Sequence, residues 1–182
     1  QIQNRGTLGG NIVNASPAGD ALPILAAFDA QLELGSHRGV RVVSFNEFYT
    51  GYRQTILAPD ELVVAVRLTK PASNARLFFQ KVGSRQALVI SKVVMAGKAW
   101  VDEGKQVHSI QISVGSVAPT IIRLRQTEAL LQGQVLTDEL IESAKHSAMQ
   151  EVRPITDVRS NEHYRRTITG NVLLRFLRQL LE

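Results

Sequence analysis

The sequence predicts an α+β protein in which the strands precede the helices along the chain. Segments rich in β-branched residues dominate before Pro119, and apolar residues recur with helical spacing after it. This order favours an α+β fold over the regular alternation of strand and helix in a Rossmann fold. A polar turn at residues 70–74 separates two segments of different pattern. We therefore predict two domains, at residues 1–72 and 76–182.

The chain starts with a glycine-rich segment at residues 1–20. Its residues are small and polar and cannot form a core of their own, so we expect a loop laid against another part of the molecule. Asp20 has the right chemistry for the N-cap of a short helix, and Pro23 falls in the first turn, where proline is tolerated. Leu22 and Leu25 have the apolar spacing that this helix requires.

Strands are the predicted elements of the middle of the chain. In the first domain they lie at residues 32–34, 40–43 and 62–68, and in the second at residues 77–82, 93–101 and 105–114. Four aromatic residues between the strands of the first domain are predicted to be core: Phe45, Phe48, Tyr49 and Tyr52. Residues 102–104 predict a hairpin in which Gly104 supplies the positive φ. The second domain is therefore expected to contain a three-stranded antiparallel sheet.

Helices are predicted to cover this sheet. They lie at residues 120–131, at residues 137–152 and in a last segment that Ser160 can cap. Apolar residues recur every four positions in the last helix: Tyr164, Ile168, Val172, Phe176 and Leu180. Four arginines lie off this stripe: Arg165, Arg166, Arg175 and Arg178. A solvated face is the preferred interpretation of these arginines, and a partner-binding face is the alternative.

The composition excludes several classes of protein. Among the 182 residues there is no cysteine, which excludes disulfides, thiolate zinc sites and an iron–sulfur cluster held by this chain. There is no apolar run of ~20 residues and no signal peptide, so we expect a cytoplasmic protein. The net charge of +5 comes from residues 76–182 but forms no dense basic patch, which argues against nucleic-acid binding.

Residue types that catalyse reactions form no recognisable constellation. The histidines are scattered, and only His163 has a neighbouring carboxylate, so no metal site is predicted. The sequence lacks a G-x-S-x-G elbow, a Walker A lysine and a G-x-G-x-x-G motif. The ordinary hydrolase, NTPase and Rossmann dehydrogenase functions are therefore excluded.

The remaining chemical signal lies in the glycine-rich segment, at residues 6–20. Glycines let backbone N–H groups approach a ligand closely. Four side chains add neutral hydrogen-bonding groups: Thr7, Asn11, Asn14 and Ser16. Such a segment suits a phosphate or the carbonyl groups of a ring. The alternative is an ordinary tight turn that caps a helix.

The order of residues in this segment is specific. Residues 4–17, NRGTLGGNIVNASP, resemble the flavin-binding loop of the FAD subunit of the molybdenum hydroxylases, the family of xanthine dehydrogenase and aerobic carbon monoxide dehydrogenase. The resemblance continues along the chain at Asp20, Pro23, residues 51–57, 79–85, 157–160 and 164–165. It implies a vanillyl-alcohol-oxidase-type FAD domain, of which residues 1–72 would be the second lobe. Residues 76–182 would be the carboxy-terminal flavoprotein domain of that family.

The resemblance also implies roles for particular residues. Five of them would line the FAD at its pyrophosphate and isoalloxazine: Thr7, Gly10, Asn11, Val13 and Asn14. Asp20 would fix the segment and accept a hydrogen bond from the ribityl region of the flavin or from backbone. Ile56 and Leu57 would pack against the ring system, and Lys81 would lie near the polar edge of the flavin. The residues alone leave open a plain N-cap for Asp20, core packing for Ile56 and Leu57, and a solvated Lys81.

Two departures from the family pattern affect these expectations. In the family, a separate lobe with a second glycine-rich segment precedes the residues that match here, whereas this chain begins at Gln1. We therefore expect a fragment that lacks this amino-terminal lobe and holds FAD weakly by itself. The absence of cysteine excludes relatives that carry an extra iron–sulfur cluster on the flavoprotein.

The function that the resemblance implies is electron transfer. The subunit would bind FAD, receive electrons from [2Fe–2S] clusters and pass them to NAD⁺, a quinone or oxygen. Its partners would be a molybdopterin-binding large subunit and a [2Fe–2S] small subunit, and no residue here would need to act as a general acid or base. The subunit would then be a component of an oxidoreductase that is not catalytic alone. The alternative is a non-catalytic scaffold of such a complex that binds no flavin.

Overall fold

The structure is a computed structural model, which describes residues 2–86 and 88–182. Its helices are α1 (Ile2–Arg5), α2 (Leu8–Val13), α3 (Leu22–Ala27), α4 (Arg125–Leu131), α5 (Asp138–Glu151) and α6 (Glu162–Gln179). Its strands are β1 (Gln31–Ser36), β2 (Gly39–Ser44), β3 (Tyr49–Gly51), β4 (Gln54–Thr55), β5 (Leu62–Arg67), β6 (Arg76–Val82), β7 (Val93–Val101), β8 (Val107–Gly115) and β9 (Ile122–Arg123). The predicted α+β fold, with strands before the main helices, is confirmed.

The strands of the described residues form three antiparallel sheets. The first has the order β2-β1-β5, the second is the short pair β3-β4, and the third has the order β6-β7-β8-β9. The third sheet therefore has four strands, and the predicted three-stranded sheet is one strand short. The missed strand is β9, which pairs Ile122 with Val114 and Arg123 with Ser113 of β8. Residues 120–124 are consequently not helical, and α4 begins at Arg125.

The hairpin between β7 and β8 differs from the predicted one in the residue that takes the unusual backbone conformation. Lys105 has φ 64, and Gly104 is not among the described residues with positive φ. The backbone N–H of Lys105 donates to the carbonyl of Asp102 at 3.0 Å, and the Asp102 carboxylate accepts from the N–H of Gln106 at 2.9 Å. These bonds fix the turn through Asp102, so a non-glycine residue is held in the left-handed region.

The third sheet is covered on both faces. Val93, Met95 and Ala99 of β7 are buried in a core formed with α4, α5 and α6, here called the second core, as the alternation of apolar residues predicts. Val94 and Ala96 point to the other face and are also buried. Helix α3, from the first part of the chain, packs against β7 and β8. The two predicted domains therefore share an interface, and their division remains a prediction.

Arg123 links the two parts of the chain at this interface. Its guanidinium is almost fully buried and donates to the carbonyl of Ala26 at 3.1 Å and to the carboxylate of Asp29 at 2.7 Å. It also pairs with both oxygens of Glu128 at 2.6 and 2.9 Å. A buried charge that is this completely paired fixes the end of α3 against the third sheet.

The aromatic cluster of the first part is only partly core. Phe45 and Phe48 are buried in the first core, which α3 and the first sheet form, and Tyr49 packs against them edge to face. Tyr52 is 60% exposed, so its predicted place in the core is wrong. The chain turns through Tyr52 and Arg53, where Arg53 has φ 53, between the short strands β3 and β4. A residue in the turn of a two-stranded hairpin is exposed when no other element packs over the turn.

Helix α6 has the predicted apolar stripe but a different cap. Asn161 is its N-cap, with its side chain accepting from the N–H of Tyr164 at 2.7 Å, and Ser160 precedes the cap. Val172, Phe176 and Leu180 are buried in the second core. Arg165 is only 4% exposed, so the predicted solvated face does not include it. Its burial follows from a carboxylate and two carbonyls within the protein that accept its hydrogen bonds in place of water.

Candidate functional site

The glycine-rich segment folds as a short helix, where the sequence predicts a loop. Thr7 is the N-cap of α2, and its Oγ1 accepts a hydrogen bond from the N–H of Gly10 at 2.9 Å. A Cβ at position 10 would stand 2.9 Å from that same Oγ1, so a larger residue there would have to shift the cap slightly. The alternative interpretation, a turn that caps a helix, is thus correct about local structure. It does not decide whether the segment binds a ligand.

Helix α2 is held on the first core by its buried face. Ile12 is fully buried, and its carbonyl accepts from the hydroxyl of Tyr49 at 2.9 Å. Burial raises the pKa of Tyr49, so this hydroxyl stays protonated and remains a donor. Gly9 lies against β5, since a Cβ at this position would be 3.4 Å from the carbonyl oxygen of Val63. The helix therefore has a fixed place, and its other face is open.

The open face of α2 carries most of the predicted ligand-binding residues. Thr7, Gly10, Val13 and Asn14 are all exposed, and Asn11 is half-buried. Val13 is an apolar side chain left 40% exposed beside the polar groups. The surface thus combines accessible hydrogen-bonding groups with apolar area. Contact of these residues with a flavin remains a prediction.

Asp20 and Lys81 are brought together, although no sequence pattern indicates their contact. Lys81 Nζ lies 2.5 Å from Asp20 Oδ2, and the hydroxyl of the buried Ser91 donates to Asp20 Oδ1. Asp20 is not the N-cap of α3; that position is taken by Ala21, which makes no side-chain cap. Because Lys81 and Ser91 belong to the second part of the chain, Asp20 fixes the end of the glycine-rich segment there. The roles of Asp20 and Lys81 toward a flavin remain predictions.

Ile56 and Leu57 lie at the edge of the first core. Both are half-buried and pack against it. The backbone of Ile56 is tied down, since its N–H donates to the carbonyl of Phe48 at 3.0 Å and its carbonyl accepts from Arg41 at 2.9 Å. The structure thus gives both residues a packing role, and contact with a ring system stays a prediction.

A cleft of about 410 Å³ opens next to the glycine-rich segment. It is lined by Ser16, Pro17, Ala18, Tyr52, Arg53, Ile90, Ser91, Ser116, Ala118, Pro119, Ile155, Asp157, Arg159 and Arg165. Two buried polar atoms of this lining, Ser116 Oγ and Arg165 Nε, have no hydrogen-bond partner within the described part of the chain. Unpaired buried polar atoms beside a cleft are what a site leaves for a polar ligand or for water.

An ion pair between Arg165 and Asp157 lies in the lining of the cleft. Arg165 Nη2 donates to Asp157 Oδ1 at 2.7 Å. Burial by itself would raise the pKa of Asp157, but hydrogen bonds from the N–H groups of Arg159 and Ser160 and from Arg165 outweigh it and hold this pKa below its ordinary value. Asp157 is therefore an anion at neutral pH. Several lining residues lie in segments that carry the resemblance to the family, at residues 4–17, 51–57, 157–160 and 164–165.

Metal ligands and membrane-spanning helices are both missing from residues 2–86 and 88–182. In these ranges no group of three histidine, aspartate or glutamate side chains comes together that could hold a metal ion. In the same ranges no helix has the length and apolar character needed to cross a membrane.

The glycine-rich segment and the first core are followed along the chain by an antiparallel sheet that is covered by helices. Residues 1–71 match the model of the FAD binding domain in molybdopterin dehydrogenase, and residues 78–180 match the CO dehydrogenase flavoprotein C-terminal domain. The chain therefore belongs to the FAD-binding flavoprotein family of the molybdopterin dehydrogenases, and the resemblance seen in the sequence is confirmed.

Relatives of known identity agree with this assignment. The chain is 32% identical to the xanthine dehydrogenase FAD-binding subunit of Escherichia coli O157:H7, over 95% of this chain and 61% of that protein. It is 28% identical to the carbon monoxide dehydrogenase medium chain of Hydrogenophaga pseudoflava, over 97% of this chain and 61% of the relative. A solved structure of carbon monoxide dehydrogenase from the same organism superimposes with a TM-score of 0.90 over 96% of this chain and 60% of that one. The chain thus spans about 60% of the length of these relatives.

Proposed function

We propose that this chain is part of an FAD-binding, electron-transferring subunit of a xanthine dehydrogenase-like molybdenum hydroxylase. The subunit receives electrons from [2Fe–2S] clusters and passes them to NAD⁺ or another acceptor. Its partners are a molybdopterin-binding large subunit and a [2Fe–2S] small subunit. When bound, FAD supplies the redox chemistry, and the protein supplies binding and orientation.

The observation that carries this proposal is the open face of α2. Thr7 and Asn14 lie two turns apart on this face, and both are exposed. The N–H and the carbonyl of Gly10 are used within α2, by Thr7 Oγ1 and by the N–H of Asn14, so Gly10 contributes room for close approach and no hydrogen-bonding group. The match of residues 1–71 to an FAD binding domain supports FAD as the ligand of this face, to which Thr7 and Asn14 would offer side-chain donors and acceptors.

Asn11 is the residue on which this proposal can best be tested. Its Oδ1 lies next to Gly19, 3.3 Å from where a Cβ would stand, so the side chain lies between α2 and the end of the segment. An amide can donate and accept at once, and it is half-buried here. Replacing it by an apolar side chain leaves a polar partner unsatisfied, which costs roughly 1–3 kcal/mol.

The test is a flavin titration of the full-length subunit. Asn11→Leu should weaken FAD binding about five- to hundred-fold. Asn171→Leu is the matched control, because Asn171 is an exposed residue of α6 in the other part of the chain and its change should leave the affinity intact. Unchanged affinity of Asn11→Leu would mean that Asn11 has only a structural role in α2. A wild-type subunit that binds no flavin but co-purifies with the other two subunits would establish the scaffold function instead.

The cleft beside the segment is the place where we propose the electron acceptor approaches. Arg53 and Arg159 are exposed cations of its lining, and Arg165 Nε is a donor without a partner among the described residues. Such a lining favours an anionic acceptor. Arg53→Gln should raise the KM for NAD⁺ and leave FAD content and turnover with a neutral quinone unchanged. An equal effect on both acceptors would place the acceptor elsewhere.

A further inference from the structure

We infer that Arg165 is a positioning residue that holds the glycine-rich segment in place from behind. The inference rests on the proposed function, since the segment is the proposed FAD site. Arg165 belongs to α6, in the part of the chain that matches the carboxy-terminal flavoprotein domain. Through Arg165, the carboxy-terminal part of the chain therefore helps to position the proposed FAD site.

The guanidinium of Arg165 joins three separate segments. Nη1 donates to the carbonyl of Ser116 at 2.7 Å and to the carbonyl of Lys92 at 3.3 Å, and Nη2 donates to Asp157 Oδ1 at 2.7 Å. The side chain is only 5% exposed, so these bonds replace the water that the charge would otherwise bind. The planar fork of the arginine reaches two carbonyls and a carboxylate from one side chain.

Two of these three partners lead directly to the glycine-rich segment. The N–H of Ser116 donates to the carbonyl of Pro17 at 2.7 Å, while the carbonyl of the same residue accepts from Arg165. Lys92, the second carbonyl partner, directly follows Ser91, whose hydroxyl donates to Asp20. The segment is thus held at Pro17 by Ser116, which Arg165 contacts. It is held at Asp20 by Ser91, the neighbour of Lys92, which Arg165 also contacts.

The backbone at Ser116 shows that this arrangement must be held. Ser116 has φ 66, in the left-handed region that a serine seldom adopts. A conformation of this kind persists where the surroundings over-determine it. The two hydrogen bonds on either side of Ser116, from Arg165 to its carbonyl and from its N–H to Pro17, supply that constraint.

The neighbouring Arg166 provides a matched control. It lies on the same helix and also donates to backbone carbonyls, those of Met149 and Val152 at 3.1 and 2.9 Å. These contacts tie α6 to the end of α5 and do not reach the glycine-rich segment. A change at Arg166 should therefore affect stability without affecting the segment.

The experiment compares Arg165→Lys with Arg166→Lys in the full-length subunit. Both variants keep the charge and lose the fork. For Arg165→Lys we expect FAD affinity to fall about tenfold, with an altered visible circular dichroism of bound flavin. We also expect faster amide hydrogen exchange at Ser116, at Ser16 and at residues 18–20, a measurement that does not depend on flavin. Arg166→Lys should change neither.

The outcomes separate the inference from the proposed function. The positioning role would be overturned if exchange at Ser116 and FAD affinity changed equally in both variants. It would also be overturned if they changed in neither variant. Faster exchange in Arg165→Lys alone, together with a wild-type subunit that binds no flavin, would support the positioning role and refute the proposed function.

A second variant tests the same network if Arg165→Lys does not fold. Asp157→Asn removes the charged partner of Arg165 and leaves both carbonyl bonds available. It should give a smaller increase in exchange at Ser116, and no increase there would overturn the positioning role.

Discussion

The first and second parts of the chain differ in how much surface they bury. The second core contains 20 buried apolar residues of the described chain, and the first contains nine. All the predicted flavin-binding residues except Lys81 lie in the first part, on or beside its smaller core. The second part thus buries more apolar side chains, while the part with the smaller core carries most of the predicted ligand-binding residues.

The outer face of the first sheet shows the same difference. Four apolar side chains on strands β2 and β5 are roughly half or more exposed: Val40, Val42, Leu62 and Val64. The third sheet has helices on both faces, and Leu77 and Phe79 are exposed on its edge strand β6. The apolar side chains on this outer face therefore add less hydrophobic stabilisation than they would if they were buried.

The largest expected effect would come from emptying the second core. Phe176 is buried, stacks on Phe78 with ring centroids 4.9 Å apart, and fills the space above Gly97. Phe176→Ala should lower the free energy of unfolding by about 3–5 kcal/mol, as measured by urea denaturation. The control is Phe79→Ala, one residue along β6 from Phe78 but 47% exposed. Comparable losses in the two variants would mean that Phe176 does not fill the second core.

A slightly smaller effect is expected from cutting the link between the two parts. Arg123→Gln leaves the carboxylate of Glu128 buried without its cation, which should lower the free energy of unfolding by about 3 kcal/mol. Arg125→Gln is the control, because Arg125 is exposed and lies 3.7 Å from the same carboxylate. Hydrogen exchange should rise in α3 for Arg123→Gln and stay unchanged for Arg125→Gln. Exchange that rises only in α4 would show that α3 does not depend on this link.

Acid should weaken the first part through one ion pair. The hydrogen bond from Arg41, with that from the N–H of Ala58, lowers the pKa of Glu61 from its ordinary 4.5 to about 2. Because the folded state binds this proton more weakly than the unfolded state, the contribution of Glu61 is present above pH 4.5 and is lost as the pH falls toward 2. As the pH falls from 4.5 toward 2, the midpoint temperature of thermal unfolding should fall more steeply for the wild type than for Glu61→Gln. Parallel curves would refute the assignment.

The smallest effect is expected on the exposed sheet face. Val42→Thr keeps the β-branched shape and exchanges a methyl for a hydroxyl at a position that is 49% exposed. The free energy of unfolding should change by less than about 0.5 kcal/mol. The matched substitution in the second part is Val114→Thr, at a fully buried position of β8, and it should cost about 1–3 kcal/mol because the hydroxyl is buried. Equal changes would mean that the outer face is covered.

Sequence patterns predict the elements whose stability is local. The predicted bounds of β7 are correct, and α5 begins directly after its N-cap at Thr137, because alternation and capping are properties of neighbouring residues. Strand β9 could not be predicted, since its two residues gain strand structure only by pairing with β8. The same holds for Asp20, whose partners lie 61 and 71 positions away, and for Arg165, whose carbonyl partners lie 49 and 73 positions away.

The hydrogen bonds of Arg123 to Ala26 and Asp29 have a consequence for how the protein is made. They join residues 97 and 94 positions apart, so they cannot form until most of the chain has left the ribosome. Until then α3 lacks strands β7 and β8 to pack on, and its apolar face is accessible to other nascent chains. The first part is synthesised before the strands that cover α3, so it is completed only after the second part has been made.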